Sequence, residues 1–324
     1  MNNNTKTSTA AVCVIIAAYN AEGTIARAIA SALAQPEVAE VIVVDDASKD
    51  NTVKAAHAAN DGSNRLKILV QNINRGPSAA RNRAIMESVS PWIAILDADD
   101  FFLPGRIRDM LAYSENADMI ADDMWQVSEN AVDAPRKSLL GKTLSQPKTV
   151  SFSEFVLSNV TRPGHDRGEL GFIKPLIRRS FLDANNIRYQ ENMRLGEDFE
   201  LYARALALDA KLVLAPVQGY VSVIRASSLS GQHSEQDLKN LRDCDRQLLS
   251  NLPLCEADVN ALRRHYLSID CRLQWRLLIT AVKTKNMRAA LSTFLRPYPV
   301  PAYLFKQLAL QVYLRSFPMK SKPL

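Results

Sequence analysis

Residues 91–100 read PWIAILDADD, an apolar run that leads directly into three carboxylates, Asp97, Asp99 and Asp100. Carboxylates crowded at the end of a buried strand repel one another, so we expect a compensating positive charge beside them. A divalent cation is the simplest candidate, because Mg²⁺ and related ions prefer oxygen ligands. The segment therefore predicts a buried strand that ends at a cation-binding edge.

A stretch about fifty residues upstream has the same pattern. Residues 41–46 read VIVVDD, so a second apolar run also ends in two acids, Asp45 and Asp46. The carboxyl ends of parallel strands meet at one edge of a sheet, and ligands of open α/β sheets bind there. We therefore expect both groups of acids to line one functional edge.

Predicted strands and helices alternate around these two runs. Residues 12–18 are apolar and partly β-branched, as in a buried parallel strand. Ile25, Ile29 and Leu33 follow at helical spacing. The other elements predicted here are a helix from Thr52 capped by Asn51, a strand over 66–70, a helix over 76–86 and a strand over 92–96. This alternation predicts an α/β fold with a parallel sheet and right-handed crossovers.

The pattern is less regular after residue 104. It predicts helices over 107–113, 153–157 and 199–208, strands over 118–127, 171–177, 212–215 and 220–224, and a loop over 133–149. Residues from 235 onward read as helices that break at Pro253 and around Pro297, Pro299 and Pro301. We therefore divide the chain into three regions, 1–110, 111–234 and 235–324.

The composition is that of a soluble globular protein, with 47% hydrophobic and 23% charged residues in 324. No window approaches eighteen apolar residues, and residues 1–10 lack an apolar signal core, so we expect neither a membrane-spanning helix nor export. The four cysteines form no CxxC pair, which favours free thiols in a reducing cytosol over zinc or disulfides.

Charge is distributed unevenly along the chain. The net charge is +6, yet residues 259–324 hold twelve Lys and Arg against one acid, Asp270. That region alone therefore carries a surplus of eleven positive charges, and the rest of the chain is net negative. An acidic front and a basic tail suggest two separate tasks.

Five stretches, in this order, resemble the motifs of the family 2 glycosyltransferases. They are residues 14–20 (VIIAAYN), 43–48 (VVDDAS), 74–76 with 80–82 (NRG and ARN), 97–100 (DADD) and 196–198 (GED). Residues 171–179 and 195–198 look most like the succinoglycan-type glucosyltransferases of bacterial exopolysaccharide pathways. The Gln-x-x-Arg-Trp motif of the processive members is absent, so the chain resembles a non-processive enzyme that adds one sugar.

The resemblance implies a GT-A fold, an α/β, Rossmann-like and mostly parallel sheet flanked by helices, here with a C-terminal helical extension. Region 1–110 would be the nucleotide-sugar-binding half and region 111–234 the acceptor and catalytic half. It also implies a UDP-sugar donor, bound by residues that match the family's motifs: Ala17, Tyr19, Asn20, Asp46, Arg81, Asp97 and Ala98.

Three of these donor-site residues have specific expected roles and alternatives. Asp46 would accept a hydrogen bond from uracil N3–H, while Asp45 instead caps the following turn. Tyr19 would stack on the base, or else pack in the core. Arg81 would bring a positive charge to the nucleotide, or else lie on the surface paired with Glu87 or Asp46.

The same resemblance assigns the metal and the base. Asp99, with Asp100 as second choice, would bind Mg²⁺ or Mn²⁺ at the diphosphate, and Asp97 would face the ribose; a solvated acidic turn is the alternative. Asp198 would be the general base of a direct displacement, which inverts the anomeric carbon. An acid at a helix start can instead be an N-cap. Arg225 follows the last predicted strand and could contact phosphate.

The expected function is transfer of a hexose, taken as glucose, from a UDP-sugar to a hydroxyl of a lipid-linked oligosaccharide in exopolysaccharide synthesis. The expected location is the cytoplasm, peripheral at the inner face of the cytoplasmic membrane, with residues 259–324 on the anionic surface. The apolar residues expected on this surface are twelve: Trp275, Leu277, Leu278, Ile279, Val282, Leu291, Phe294, Leu295, Tyr298, Tyr303, Leu304 and Phe305. They could instead pack the tail's helices against the GT-A core, with the charges solvated, and nucleic acid is not an expected partner. Two rival functions are a nucleotidyltransferase and a non-catalytic sugar-nucleotide or membrane-surface binding module.

Overall fold

The computed structural model describes residues 11–130, 136–141, 144–160, 169–225 and 234–316. The chain forms two compact units, one up to residue 231 and one from residue 232. All four cysteines lie in the described part and are free thiols, as expected.

An eight-stranded mixed sheet lies at the centre of the first unit. In spatial order its strands are β3 (Leu66–Val70), β2 (Val38–Asp45), β1 (Val12–Ala18), β4 (Trp92–Ile95), β10 (Leu176–Arg178), β6 (Met119–Ala121), β11 (Leu212–Leu214) and β9 (Lys148–Val150). Strands β1 to β4 are parallel, whereas β10 is antiparallel to both neighbours and β9 is antiparallel to β11. Because β2 and β4 both flank β1, the two groups of acids follow strands at the same edge, as predicted.

A second, four-stranded sheet contains β5 (Phe101–Phe102), β12 (Tyr220–Ile224), β7 (Met124–Ser128) and β8 (Lys137–Ser138), in this order. The strand predicted over 118–127 is therefore wrong as one element, since β6 and β7 belong to different sheets. The break falls at Asp122 and Asp123. The Asp122 carboxylate accepts hydrogen bonds from the Gly219 and Tyr220 N–H groups, and that of Asp123 accepts from the Met124 and Leu140 N–H groups. These acids thus pair backbone groups at the switch between sheets.

Seven α-helices belong to the described part of the first unit. They are α1 (Ile25–Leu33), α2 (Thr52–Ala58), α3 (Pro77–Glu87), α4 (Arg106–Leu111), α5 (Phe152–Ser158), α6 (Arg179–Ala184) and α7 (Glu197–Ala207). The predicted cap of α2 is wrong: Asn51 makes no capping bond, and the Asp50 carboxylate accepts the Thr52 N–H at 3.0 Å instead. The Asn51 side-chain amide instead donates a hydrogen bond to the Glu22 carboxylate at 3.2 Å.

The strand predicted over 171–177 is mostly replaced by other structure. Residues Leu170–Phe172 form a 3₁₀ turn, and only Leu176–Arg178 pairs in the sheet as β10. Pro175 lies directly before the paired residues and has no N–H to donate to a neighbouring strand. The predicted loop over 133–149 holds β8 and the start of β9 in its described residues.

The second unit is helical, with α8 (Glu235–Asn251), α9 (Glu256–Lys283), α10 (Met287–Ser292) and α11 (Val300–Ser316). A cluster of buried residues joins α9, α10 and α11: Cys271, Leu278, Ala281, Ala290, Val300 and Leu304. Pro301 does not break the chain as predicted, because it lies in the first turn of α11, where its missing N–H has no partner to lose. No helix in the described residues is long and apolar enough to span a bilayer.

Candidate active site

The loop after β1 is fixed against the loop after β2. The Asn20 N–H donates to Ser48 Oγ at 2.9 Å, and the Asn20 side-chain oxygen accepts the Lys49 N–H at 2.9 Å. Ala17 is half-buried at the strand end, and the Tyr19 side chain is 47% exposed. This exposure excludes core packing for Tyr19 and leaves its ring accessible.

Asp45 and Asp46 do different work at the end of β2. Asp45 Oδ2 accepts the Ser48 N–H at 3.0 Å, so it caps the turn as the alternative foresaw. Asp46 Oδ1 accepts from Gln71 Nε2 at 2.6 Å and Arg75 N–H at 2.8 Å, and Oδ2 accepts the Gly76 N–H at 2.7 Å. Asp46 thereby holds the chain that enters α3, and its contact with uracil stays a prediction.

Four charged side chains form a closed ring of alternating sign beside this edge. Arg81 donates to Asp97 Oδ1 at 2.8 Å and lies 3.4 Å from Asp198 Oδ1. Lys174 Nζ lies 2.6 Å from Asp198 Oδ2 and 2.9 Å from Asp97 Oδ2. Arg81 also donates to Glu197 at 2.8 Å. The ring links the end of β4, helix α3 and the start of α7.

The structure excludes a surface position for Arg81 and an N-cap position for Asp198. Arg81 is only 5% exposed, so it is no surface arginine, and Glu87 pairs with Lys67 instead. Gly196 occupies the N-cap position of α7 and Asp198 lies inside the helix, so Asp198 is not its N-cap. Asp198 instead accepts a 3.0 Å hydrogen bond from the Tyr189 hydroxyl.

Opposite charges shift the pKa values of Asp97 and Lys174 within the ring. Burial would raise the pKa of Asp97, but Lys174 and Arg81 outweigh it and lower that pKa to about 2. Burial would lower the pKa of Lys174, but Asp198 and Asp97 raise it above its usual value. Burial and the neighbouring Asp198 raise the pKa of Glu197. The two cations therefore hold the negative charges in place.

Asp99 differs from Asp97 because its carboxylate lies farther from its cationic partner. Its carbonyl oxygen accepts from Arg27 at 2.8 Å, while its carboxylate lies 3.7 Å from the Arg225 guanidinium. Burial and the charge of Asp97 raise the pKa of Asp99. The carboxylate is half-buried, as is the adjoining Ala98. A cation at Asp99 would relieve an unfavourable negative charge, so this residue fits the predicted metal ligand.

Asp100 serves the fold instead. It is 5% exposed, Oδ2 accepts from the Tyr220 hydroxyl at 2.8 Å, and Oδ1 accepts the Val223 N–H at 2.8 Å. Burial, Asp97 and Asp99 raise its pKa well above the usual value. These contacts argue against Asp100 as the second ligand. The described residues hold no cluster of three acidic, His or Cys side chains able to bind a metal, so diphosphate oxygens would complete a site at Asp99.

Gly219 allows Tyr220 to reach this edge. A Cβ atom at Gly219 would lie 2.4 Å from the Cβ of Arg106, a distance that only glycine avoids. The Tyr220 hydroxyl accepts the Asp97 N–H at 3.2 Å while donating to Asp100. Tyr220 therefore fixes the whole acidic turn against β12.

Comparisons with known proteins identify the family of this chain. Residues 13–182 match the model of glycosyl transferase family 2. The chain belongs to glycosyl transferase family 2. It is 47% identical over 265 residues to the succinoglycan biosynthesis protein ExoU of Rhizobium meliloti (strain 1021), covering 82% of this chain and 77% of ExoU. The expected family and the likeness to succinoglycan-type enzymes are thereby confirmed.

Two further comparisons concern a named relative and a solved structure. Over 105 residues the chain is 34% identical to WfaP of Escherichia coli, named as a UDP-Glc:alpha-D-GlcNAc-diphosphoundecaprenol beta-1,3-glucosyltransferase, covering 32% of this chain and 41% of WfaP. The solved structure of S. aureus TarS 1–349 with UDP-GlcNAc superposes with a TM-score of 0.62 at 19% identity, covering 87% of this chain and 90% of TarS 1–349. The second likeness confirms the GT-A fold.

Three residues of this family 2 site were missed from the sequence: Lys174, Tyr189 and Tyr220. A lone lysine inside the apolar run 171–177 was an available signal, because a buried charge needs a partner. Tyr189 and Tyr220 gave no such signal, since a tyrosine in an apolar stretch is ordinary core. Their roles arise only when α3, α7 and β12 meet.

Proposed function

We propose that the chain is an inverting, non-processive glycosyltransferase that moves glucose from UDP-glucose to a hydroxyl of a lipid-linked saccharide in exopolysaccharide synthesis. One observation carries this proposal: Lys174 holds the buried Asp198 carboxylate beside Asp97, at the strand edge where the Asp99 carboxylate lies 3.7 Å from its cationic partner Arg225. A base next to a donor-side acidic turn is what direct sugar transfer needs. The names of ExoU and WfaP support the exopolysaccharide setting and the lipid-linked acceptor.

In this reaction Asp198 accepts the proton of the acceptor hydroxyl. The hydroxyl oxygen forms a bond to C1 of the sugar as the bond from C1 to the diphosphate oxygen breaks on the opposite face, and UDP leaves with the electron pair. An α-linked donor therefore gives a β-linked product. A positioned base of this kind contributes about 10²–10⁴-fold to the rate. Tyr189, Lys174 and Arg81 contact the Asp198 carboxylate and so restrict its orientation.

Donor binding is assigned to the edge that β1, β2 and β4 share. The exposed Tyr19 ring would stack on uracil, and Asp46 would accept its N3–H while holding the chain before α3. Asp99 would hold Mg²⁺ or Mn²⁺, which supplies neutralisation of the charge that develops on the departing diphosphate. Arg225, 3.7 Å from Asp99, is placed to add a second positive charge.

We also propose that the second unit docks on the anionic cytoplasmic face of the membrane, where a lipid-linked acceptor would lie. Of the twelve apolar residues expected to do this, Leu278 and Leu304 are buried and Trp275, Phe294 and Tyr303 pack against the same core. These five residues therefore contribute to a core within the second unit. Others remain at least 60% exposed: Val282, Leu291, Leu295, Tyr298 and Phe305.

Helix α11 strengthens the membrane proposal. Its second half exposes five large apolar side chains, Leu308, Leu310, Val312, Tyr313 and Leu314. Asp270, the acid of this basic region, is 3% exposed and paired with Arg242 at 3.1 Å. The exposed basic residues of the second unit include Lys283, Lys285, Arg288, Arg296 and Lys306. Exposed apolar groups together with exposed cations match the chemistry of an anionic lipid surface.

A donor panel tests the proposed function and its rivals. The chain is incubated with UDP-sugars and Mg²⁺ or Mn²⁺, and UDP release is measured with and without a GlcNAc-diphospholipid acceptor. Release from UDP-glucose that rises with acceptor supports the proposal. Release of pyrophosphate with a sugar phosphate and UTP would indicate a nucleotidyltransferase, and UDP binding without any release would indicate a non-catalytic module.

A further inference from the structure

Lys174 donates and accepts no proton in the chemistry described above, yet it is a buried cation in direct contact with the base. Its side chain is 9% exposed and contacts two carboxylates, Asp198 at 2.6 Å and Asp97 at 2.9 Å. Those carboxylates belong to the acceptor-side helix α7 and the donor-side end of β4. Burying a lysine between two carboxylates is costly unless the ion pairs are specific, so we ask what Lys174 does at this position.

We propose that Lys174 is a positioning residue that fixes the orientation of Asp198 for proton abstraction. This inference rests on the proposed function, in which Asp198 is the base. Lys174 itself transfers no proton, because its ammonium group stays charged between two acids. Its action is on the placement of the neighbouring carboxylate.

The distances indicate why the loss of Lys174 would fall on Asp198 rather than on Asp97. Asp97 keeps Arg81 at 2.8 Å through Oδ1, and its N–H stays bonded to the Tyr220 hydroxyl at 3.2 Å. Asp198 keeps only the Tyr189 hydroxyl at 3.0 Å and a longer 3.4 Å contact to Arg81. Without Lys174, Asp198 Oδ2 loses its hydrogen-bond donor and the side chain gains rotational freedom.

Lys174 is itself fixed through its backbone. Its carbonyl oxygen accepts from Arg106 Nη2 at 2.6 Å, and the same guanidinium pairs with Asp122 at 2.6 Å. Arg106 and Asp122 are both almost fully buried. Pro175, which follows, restricts the chain further. A rigid main chain lets the ammonium group act as a fixed point for Asp198.

The balance of charges in the cluster also supports the positioning role of Lys174. Arg81 and Lys174 balance Asp97 and Asp198, and Glu197 adds one further negative charge. Replacing Lys174 by Met leaves three acids to share Arg81, and a buried charge without a partner is strongly unfavourable. Asp198 then turns towards Arg81 or water, away from the direction that Lys174 sets.

The test uses the full chain and three variants: Lys174→Met, Lys174→Arg and, as a matched buried ion-pair control, Arg242→Met. Transfer from UDP-glucose to the GlcNAc-diphospholipid acceptor gives kcat and donor KM, and thermal melting reports folding. Lys174→Met should lower kcat by about 10²-fold, the usual effect of an ångström-scale misplacement, with little change in donor KM. Lys174→Arg should recover part of kcat, and Arg242→Met should change stability without changing kcat.

A double-mutant cycle separates positioning from a merely structural role. If Lys174 acts through Asp198, then Lys174→Met combined with Asp198→Asn is no slower than Asp198→Asn alone. Losses that multiply, or a Lys174→Met variant with the wild-type kcat, would overturn the inference. Should Lys174→Met not fold, Lys174→Arg and Tyr189→Phe carry the same cycle, since each keeps most of the local volume.

Different results would contradict the role of Asp198 and the role of Lys174. A wild-type rate in Asp198→Asn would contradict the base assignment in the proposed function. A slow Asp198→Asn together with a fast Lys174→Met would leave the proposed function standing and contradict only the role of Lys174.

Discussion

The ends of β2 and β4 look alike in the sequence, but their acids have different surroundings. At β2, Asp46 accepts three hydrogen bonds of 2.6–2.8 Å from the chain that enters α3. At β4, the Asp99 carboxylate has a longer contact, a 3.7 Å ion pair with the guanidinium of Arg225. The same pattern of an apolar run and paired acids therefore has different roles at the two strands. The acid after β2 fixes the chain that enters α3, whereas Asp99 after β4 remains accessible to a ligand.

Within the second acid group the division is repeated. Asp97 forms ion pairs with two cations, and Asp100 accepts a hydrogen bond from β12. Asp99 lies between these two acids in the sequence, and burial and the charge of Asp97 raise its pKa. A carboxylate with few partners costs the fold free energy and is available for a ligand. The partners of each acid, rather than its place in the motif, indicate which one serves function.

The largest effect is expected at Asp99. Asp99→Ala should abolish transfer, because the departing diphosphate would lose the metal that neutralises it. UDP release from UDP-glucose in the presence of Mg²⁺ or Mn²⁺ measures this directly. Full activity of the variant in excess EDTA would show that the acid left open at β4 is not a metal ligand.

Asp198→Asn should be next in size. We expect donor binding to persist while the chemical rate falls by about 10²–10⁴-fold, since the amide cannot take the acceptor proton. Single-turnover transfer measures the rate and UDP titration measures binding. A rate within twofold of the wild type would mean that another residue is the base.

A stability comparison separates the two strand ends. Asp46→Asn should lower the free energy of unfolding by about 1–3 kcal/mol, because an amide NH₂ would face buried N–H donors. Asp99→Asn should leave the melting temperature unchanged or raise it, because burial and Asp97 disfavour the Asp99 charge. Thermal melts of both variants at neutral pH check this, and an equal loss of stability in the two would remove the distinction.

The smallest effect concerns the second unit. Leu310→Glu should weaken binding to anionic liposomes by about five- to tenfold, because one added negative charge near such a surface costs about 1 kcal/mol besides the lost apolar contact. Val89→Glu, at an 86% exposed position of the first unit, is the matched control. Flotation with anionic and neutral vesicles measures both variants. Equal binding by the two, or none by the wild type, would contradict membrane docking, and self-association of the wild type would point to a second copy on α11.

Local patterns predicted much of the fold. The strands β1 to β4 and the helix α1 follow from unbroken apolar runs and helical spacing, which need no knowledge of distant residues. The strands β8 and β9 were missed, since segments of two or three residues exist only through pairing with remote strands. The switch between sheets at Asp122 was missed for the same reason, because its partners lie near residues 106 and 219.

The site was predicted in part. Asp198, Arg81 and Asp97 were named from motifs, and the structure brings them together in one buried ring. The motifs did not indicate that Lys174 closes this ring from a chain segment 77 residues beyond Asp97, or that Tyr220 fixes Asp97 and Asp100 from β12. Which acids have close partners depends on such long-range contacts. The preference for Asp99 over Asp100 came from the family resemblance, and its physical reason required the fold.

Calorimetric titration of UDP tests the central claim most directly, namely that the acid left open at β4 binds the metal that holds the diphosphate. Wild type, Asp99→Asn and Asp46→Asn are titrated with Mg²⁺ or Mn²⁺ at saturation and again in EDTA. The account predicts metal-dependent affinity in the wild type, none of that dependence in Asp99→Asn, and weaker but still metal-dependent affinity in Asp46→Asn. Metal dependence of equal size in the wild type and Asp99→Asn would contradict it.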